Sequence, residues 1–356
     1  MKATVLDPDT RPRSAHPTGT SFAGLVGVEL RRLWWRRLTK AALVAIVVFS
    51  GFTVYNAYQQ STPESLAQAV DNYAQMSRDL EAQRADLPQM IAECKKSEAQ
   101  EQLNDPGADF GCDSMAEGMQ MPTLEQMGVM PPVAEGLTAT LAKISVYLYA
   151  FLAFMLGASL IGAEFSTGAF GTWLTFQPRR VRVAASKLLS AVGGGVLLSA
   201  LGLGLTWLGA WMIAQINRPD STLKLPPAAV LDESLPQLLL RCVAIVVLAA
   251  VAGAALALVV RHTAAVVGFL LGYAVIGELI LGSSFRQGRL QPWLFSTNIR
   301  AFIDRGTTYY AESCTGTSCQ YTEHTLSYTH SWIYLLVAGL ITVVVSLLVF
   351  RRRDVN

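Results

Sequence analysis

The chain has 356 residues, 52% of them hydrophobic and only 15% charged, with a mean hydropathy of +0.36. Charge this sparse, gathered between long uncharged runs, excludes an ordinary two-domain water-soluble protein. The formal net charge of +2 says little as a total; its distribution along the chain is what orients the molecule.

Residues 1–20 are rich in Pro, Thr and Ser and read as a disordered tail. Over 21–40, Phe22, Val26, Leu30, Leu33, Trp34 and Leu38 recur at helical spacing, while Glu29, Arg32, Arg36 and Lys40 share the other face. That pattern predicts a basic amphipathic helix lying along a membrane surface. Six apolar stretches follow, at 41–58, 144–163, 188–215, 237–260, 263–282 and 332–350. Each meets the roughly 20 residues that a helix needs to cross a hydrocarbon core. The third carries Gly193, Gly194, Gly195, Gly202, Gly204 and Gly209, which predicts tilting or bending. Gly268 and Gly272 in the fifth form a small-residue seam of the kind that lets helices approach. The expected fold is therefore an all-α polytopic membrane protein of six spans.

Between spans one and two, residues 59–143 are too long for a loop and predict an extracellular helical insertion. Ser61 and Glu64 fit a capping box with Pro63 in the first turn. Leu66, Tyr73, Leu80 and Leu87 recur every seven residues with Val70 and Ile91 alongside, a stripe suited to a hairpin partner or a second protomer. Pro88 is expected to kink or end this helix, with a second one running to Leu103 and a break at Asp105-Pro106-Gly107. Met115, Met119, Met121, Met127 and Met130 cluster beyond it. Thioethers hold Cu(I), but clustered Met more commonly serves as adaptable apolar filling, and no metal is expected.

Lys and Arg decide the orientation. Segments 1–40, 164–187, 261–262 and 351–356 hold sixteen of the 28 basic residues and fall on one side of a six-span topology, the cytoplasmic side. Residues 59–143 carry fourteen acidic residues against five basic ones. The polar start of the chain does not resemble a cleavable signal peptide, so the first span is expected to be an uncleaved anchor. Segments 216–236 and 283–331 are then extracellular, and both termini cytoplasmic. The cysteines agree: Cys94 and Cys112 fall in the first external segment, Cys314 and Cys319 in the last, and Cys242 alone within a span. Two local pairs on an oxidising face predict disulfides Cys94–Cys112 and Cys314–Cys319. A metal site from Cys314, Cys319, His324 and His330 is the alternative, with a middle spacer shorter than a zinc-finger loop.

Catalytic machinery is not visible. The sequence has no G-x-x-x-x-G-K-[ST], H-E-x-x-H or G-x-S-x-G motif, so no enzymatic activity is expected of this chain. Arg241 and Glu278 stand about one turn inside the external ends of spans four and five. An ion pair between them would relieve burying either charge alone; the alternative puts Glu278 on a substrate path.

The segment after span two is the most specific signal. It reads Gly162-Ala163-Glu164-Phe165-Ser166-Thr167-Gly168-Ala169-Phe170-Gly171-Thr172-Trp173-Leu174-Thr175, then Gln177-Pro178-Arg179-Arg180, with Arg182 and Lys187 opening span three. Aromatic anchors Phe165, Phe170 and Trp173 with basic neighbours suit a groove on a soluble partner, or a loop resting in lipid headgroups. This stretch resembles the permease subunits of bacterial type-2 ABC exporters, in which a G-x-E-x-x-x-G-T-like run precedes a short basic loop; Ala169 departs from the usual Thr. The surface helix before span one, a re-entrant segment at 283–331 with Trp293, Phe295 and Phe302, and the ending Phe350-Arg351-Arg352-Arg353 fit the same family. The large insertion at 59–143 does not.

The resemblance implies that Glu164, Phe165, Gly168, Phe170 and Trp173 form a coupling element flanked by Arg179, Arg180 and Arg182. It implies two copies of a separate ATPase subunit that carries ATP and Mg, and a second permease, a copy of this chain. No cofactor is expected on the chain itself, and no nucleic-acid partner. The expected function is ATP-driven export of an unidentified substrate across the bacterial plasma membrane. The alternatives are a membrane scaffold or sensor presenting 59–143, and an ion-coupled transporter, whose internal repeats and buried polar groups the sequence lacks.

Overall fold

A computed structural model describes residues 21–105, 107, 110–112, 130–169, 180–218, 234–281, 288–315 and 318–352. It contains six helices long and apolar enough to cross a membrane. These are α2 (Arg37–Gln60), α4 (Ala134–Ser166), α5 (Arg180–Ile216), α6 (Leu235–Val260), α7 (Thr263–Gly272) with its π-helical continuation Tyr273–Leu281, and α9 (Tyr328–Arg352). Around them lie α1 (Phe22–Trp35), α3 (Pro63–Glu101), α8 (Phe295–Ile303) and a hairpin of β1 (Gly306–Thr315) and β2 (Ser318–Ser327).

Five of the six apolar stretches lie within these helices and the fifth, 263–282, ends one residue outside the described ones, while α4 and α5 begin ten and eight residues earlier than their apolar runs. A hydropathy window stops where lipid-facing residues stop. The helix continues because its own hydrogen bonds and its packing do not need lipid.

Bundle packing explains which helix is central. In α4, 61% of the apolar window is buried, against 22% in α2, 17% in α9 and 11% in the fifth span. Small residues make this possible: Ala153 and Ala158 on α4 meet a face of α6 carrying Ala250 and Ala254, all four fully buried. Five of the six glycines of α5, all but Gly204, receive neighbours from other elements, and the helix runs unbroken from Arg180 to Ile216. Tyr149 lies against Gly202 and Val54 against Gly209. Tyr149 also donates its hydroxyl to the Gly202 carbonyl at 3.3 Å and sits 2.7 Å from the Ser50 hydroxyl, tying α2, α4 and α5 in mid-bundle. With the phenol proton on Gly202, Ser50 is the donor to Tyr149. By contrast, nothing lies within 4 Å of a side chain placed at Gly268 or Gly272, so that spacing is not a packing seam among the described residues.

A helix, α1, forms over the segment with the amphipathic pattern. Ser21 caps it by accepting from the Gly24 amide at 3.1 Å. Leu25, Glu29 and Leu33 are buried, whereas Phe22, Leu30 and Trp34 are exposed. The helix ends at Trp35, because Arg36 is extended (ψ 138°), so Leu38 and Lys40 belong to α2. Burial follows Glu29 because it has an ionic partner inside the bundle, described below.

Helix α3 also departs from expectation. Thr62, one residue after Ser61, is its N-cap, with Pro63 opening the helix. It then runs 39 residues through Pro88 without ending. One exposed helix tolerates the lost hydrogen bond, since water satisfies the freed carbonyl. Only Leu66 and Ala69 are buried; Tyr73, Leu80, Leu87 and Ile91 form a half-buried stripe among exposed residues. Met130 packs beside Leu137 and Leu141; the other four clustered methionines lie outside the described residues.

The segment 283–331 holds strands as well as helix. The alternation Thr308-Tyr309-Tyr310 and Tyr321-Thr322 suits a pleated surface, and β1 and β2 pair antiparallel from Gly306↔Ser327 to Thr315↔Ser318. The aromatics read as apolar contacts do make them, all at the start of α9: Phe302 stacks on Tyr328, Phe295 meets Tyr334 edge-on, and Trp293 meets His330.

Cys94 and Cys112 form a disulfide that ties the end of α3 to the chain returning past it. Cys314 and Cys319 occupy facing positions in the hairpin register, and Cys242 is a buried free thiol. Alkylation of the unreduced, denatured protein followed by intact-mass measurement is expected to add one label, at Cys242. Three labels would show that the hairpin pair stays reduced.

Candidate functional site

The candidate site is built where α1, α4 and α5 meet, at the arginine-rich end of the bundle. Lys187 sits two turns into α5 and is completely buried. Its ammonium donates to Glu29 Oε1 of α1 at 2.9 Å and to Glu164 Oε2 of α4 at 2.6 Å. Arg36, held at the break between α1 and α2, reaches the other oxygen of Glu164 through Nη2 at 3.0 Å. The same guanidinium donates to the Ser159 carbonyl at 2.7 Å and the Leu160 carbonyl at 3.2 Å. Arg32 stands 3.9 Å from Glu164 at the surface. Glu29 Oε2 is buried with no hydrogen-bond partner.

The electrostatics follow from position. Glu164 lies in the last turn of α4, where the carbonyl end of the helix disfavours a carboxylate. Two cations from other elements offset both that and the cost of burial. A buried charge needs a partner of good geometry, and each partner here comes from a different helix. The cluster therefore joins α1, α4 and α5 through pairs 158 residues apart (Glu29 and Lys187), 128 apart (Arg36 and Glu164) and 23 apart (Glu164 and Lys187).

Glycine at 168 completes the end of α4. Its φ of +70° is a conformation that suits glycine, and its amide donates to the Phe165 carbonyl at 3.2 Å. Phe165 turns inward, edge-on to Phe350 of α9 at 6.5 Å, with the Arg261 guanidinium over its ring at 5.3 Å. Thus Glu164 and Phe165, expected as docking residues, are internal anchors. Glu164 is 6% exposed, and both are committed to partners within the chain. Ser166, Thr167 and Gly168 are the exposed residues of the expected element. Phe170, Trp173 and Arg179 lie outside the described residues. Arg180 and Arg182 open α5 on its partly exposed first turn. Beside the cluster is an open cavity of about 590 Å³, lined by Val28, Arg31, Arg32, Trp35, Arg36 and Glu164.

Arg241 and Glu278 are at the opposite end and are given different partners. The Arg241 guanidinium lies over the Tyr328 ring at 5.8 Å. Glu278 Oε1 accepts from the Tyr273 hydroxyl at 2.8 Å and the Ser296 amide at 3.0 Å, and Oε2 accepts from the Ser296 hydroxyl. The π-helical turn brings Tyr273 and Glu278, five residues apart, onto one face. Glu278 then serves the amino-terminal turn of α8, where a carboxylate is favoured. At this end Lys143 also pairs with Asp304 at 2.8 Å.

The sequence signals for Glu164 and Lys187 were present in the expected coupling stretch. Their partner Glu29 was placed on a solvent face, since nothing local announces a carboxylate that pairs 158 residues away. No protein-family model matches the chain, and no curated protein matches it at a significant level.

Proposed function

We propose that this chain is the membrane-spanning permease subunit of an ATP-driven exporter in the bacterial plasma membrane. Two copies of a separate ATPase subunit would carry ATP and Mg and dock at the arginine-rich, cytoplasmic end. A second copy of the chain would complete the pathway. The observation that carries this reading is the junction of Glu29, Glu164 and Lys187. The segment joining α4 to α5 leaves and re-enters the bundle beside residues that are charge-locked to each other and to α1. A force applied to that segment would move three helices as one body, which is what coupling to a soluble motor requires. Docking would rest on Phe170 and Trp173, since Glu164 and Phe165 face inward.

The test is to purify the tagged chain in mild detergent and identify its companions by mass spectrometry, beside a Phe170→Ala/Trp173→Ala variant. Recovery of a Walker-motif ATPase with the wild type, and its loss from the variant, is the expected result. Absence of any ATPase after crosslinking would overturn the exporter reading. It would favour the second one, a membrane scaffold or sensor, which draws on the 39-residue helix α3 and its half-buried stripe.

A further inference from the structure

The arginine-lined cavity carries an inference that does not depend on the ATPase. Its charge is unbalanced: of its lining residues, Arg31, Arg32 and Arg36 face one carboxylate, Glu164, leaving a local excess of two positive charges. Arg36 is turned inward by its hydrogen bonds to the Ser159 carbonyl and Glu164 and forms the inner side of the cavity. Arg31 and Arg32 are at the exposed mouth. An anion entering here meets guanidinium forks that match phosphate geometry.

A second feature says what the anion is attached to. Trp35 lines the cavity and is 66% exposed, and the Lys40 ammonium lies over its ring at 5.2 Å. Lys40 also begins an apolar groove of about 700 Å³ that runs along α2 past Val44, Val48 and Phe52. From residue 40 to residue 52 the helix rises about 18 Å, close to one leaflet's share of a hydrocarbon core about 30 Å thick. A basic cavity with a tryptophan at its edge thus neighbours, across the Trp35–Lys40 contact, an apolar groove along α2 one acyl chain long. Free phosphate fits the first part but leaves the groove unexplained.

We infer that the cavity and groove together form a site for one anionic phospholipid. Its phosphate lies between Arg31 and Arg32, its glycerol region against Trp35 and Lys40, and an acyl chain along Val44, Val48 and Phe52. The lipid would also cover the outer side of the Glu164 cluster.

The full chain, purified in mild detergent, is titrated with phosphatidylglycerol, with phosphatidylcholine and with inorganic phosphate, and bound molecules are counted by native mass spectrometry. Wild type is expected to retain one phosphatidylglycerol in preference to phosphatidylcholine. The R31Q/R32Q variant should bind it roughly thirtyfold more weakly, the scale set by two arginines near an anionic surface. An A45W variant, which fills the groove without changing charge, should lose the same lipid. An R78Q/R84Q variant on α3 should match wild type. Equal retention of both lipids, or an unaltered phosphatidylglycerol count in R31Q/R32Q, would overturn the site. Inorganic phosphate competing fully while A45W has no effect would overturn the lipid and leave only an anion pocket. Melting curves for each variant separate loss of lipid from loss of fold.

Discussion

Replacing Lys187 with methionine is expected to destabilise the protein by about 3–5 kcal/mol, the usual cost of removing one partner from a buried ion pair. Methionine fills most of the lysine volume, so the loss is electrostatic. Glu29 and Glu164 would be left facing each other, with Arg36 and the more distant Arg32 compensating Glu164 and no cation among the described residues compensating Glu29. Thermal melting of the purified protein reads the effect, with the order of damage as the sharper test. K187M should be worst, E164Q next, and E29Q mildest, because E29Q leaves Lys187 paired with Glu164 and relieves the partnerless Glu29 oxygen. Adding E29Q and E164Q to K187M should recover part of the stability, since Arg36, still bonded to the Ser159 and Leu160 carbonyls, is then the one charge left of the four groups. A K187M protein that melts like wild type would show that the cluster does not hold α1 against the bundle. The proposed coupling would then lose its physical basis.

The six spans were legible because lipid imposes one local rule, an uninterrupted apolar run, on every segment that crosses it. Helix α3 was legible in its start, through Pro63, and in its stripe of Leu66, Tyr73, Leu80 and Leu87. Its length was not, since Pro88 removes one hydrogen bond and crowds one carbonyl, a local cost that α3 carries without ending. The hairpin from Gly306 to Ser327 was within reach of a period-two reading and lost to the expectation of helix drawn from resemblance. On α1 it was the burial of Glu29 that was not legible. Helical spacing put Phe22, Leu30 and Trp34 on the apolar side, which in water would be the buried side. Beside a membrane the same residues can face outward, and Glu29 can go in if a lysine waits there. Amphipathicity fixes which residues share a face but not which face meets protein, because protein and lipid both accept apolar groups. That choice is made by the long-range partner, Lys187, which no local pattern shows.

The tightest contact in the bundle sets the other large expectation, that leucine at Gly157 or Gly253 abolishes the fold. A side-chain carbon at Gly157 would run into the Ala250 carbonyl of α6, and one at Gly253 into the Phe154 carbonyl of α4. Both obstacles are backbone, so no rotamer change relieves them, and the two helices must separate. Ala153, Ala158, Ala250 and Ala254 would then lose their contacts together. Even alanine at either position is expected to cost about 1–3 kcal/mol, as overpacking of a close interface does. Gly268 is the control. It has the spacing of a helix-contact glycine, yet nothing lies within 4 Å of its added carbon, so G268L should purify as a single species and melt near wild type. Size-exclusion profiles and melting temperatures of G157A, G157L, G253L and G268L decide the matter. Collapse of G268L alongside normal behaviour of G157L would mean that the fifth span, and not the α4–α6 contact, is the seam on which the bundle depends.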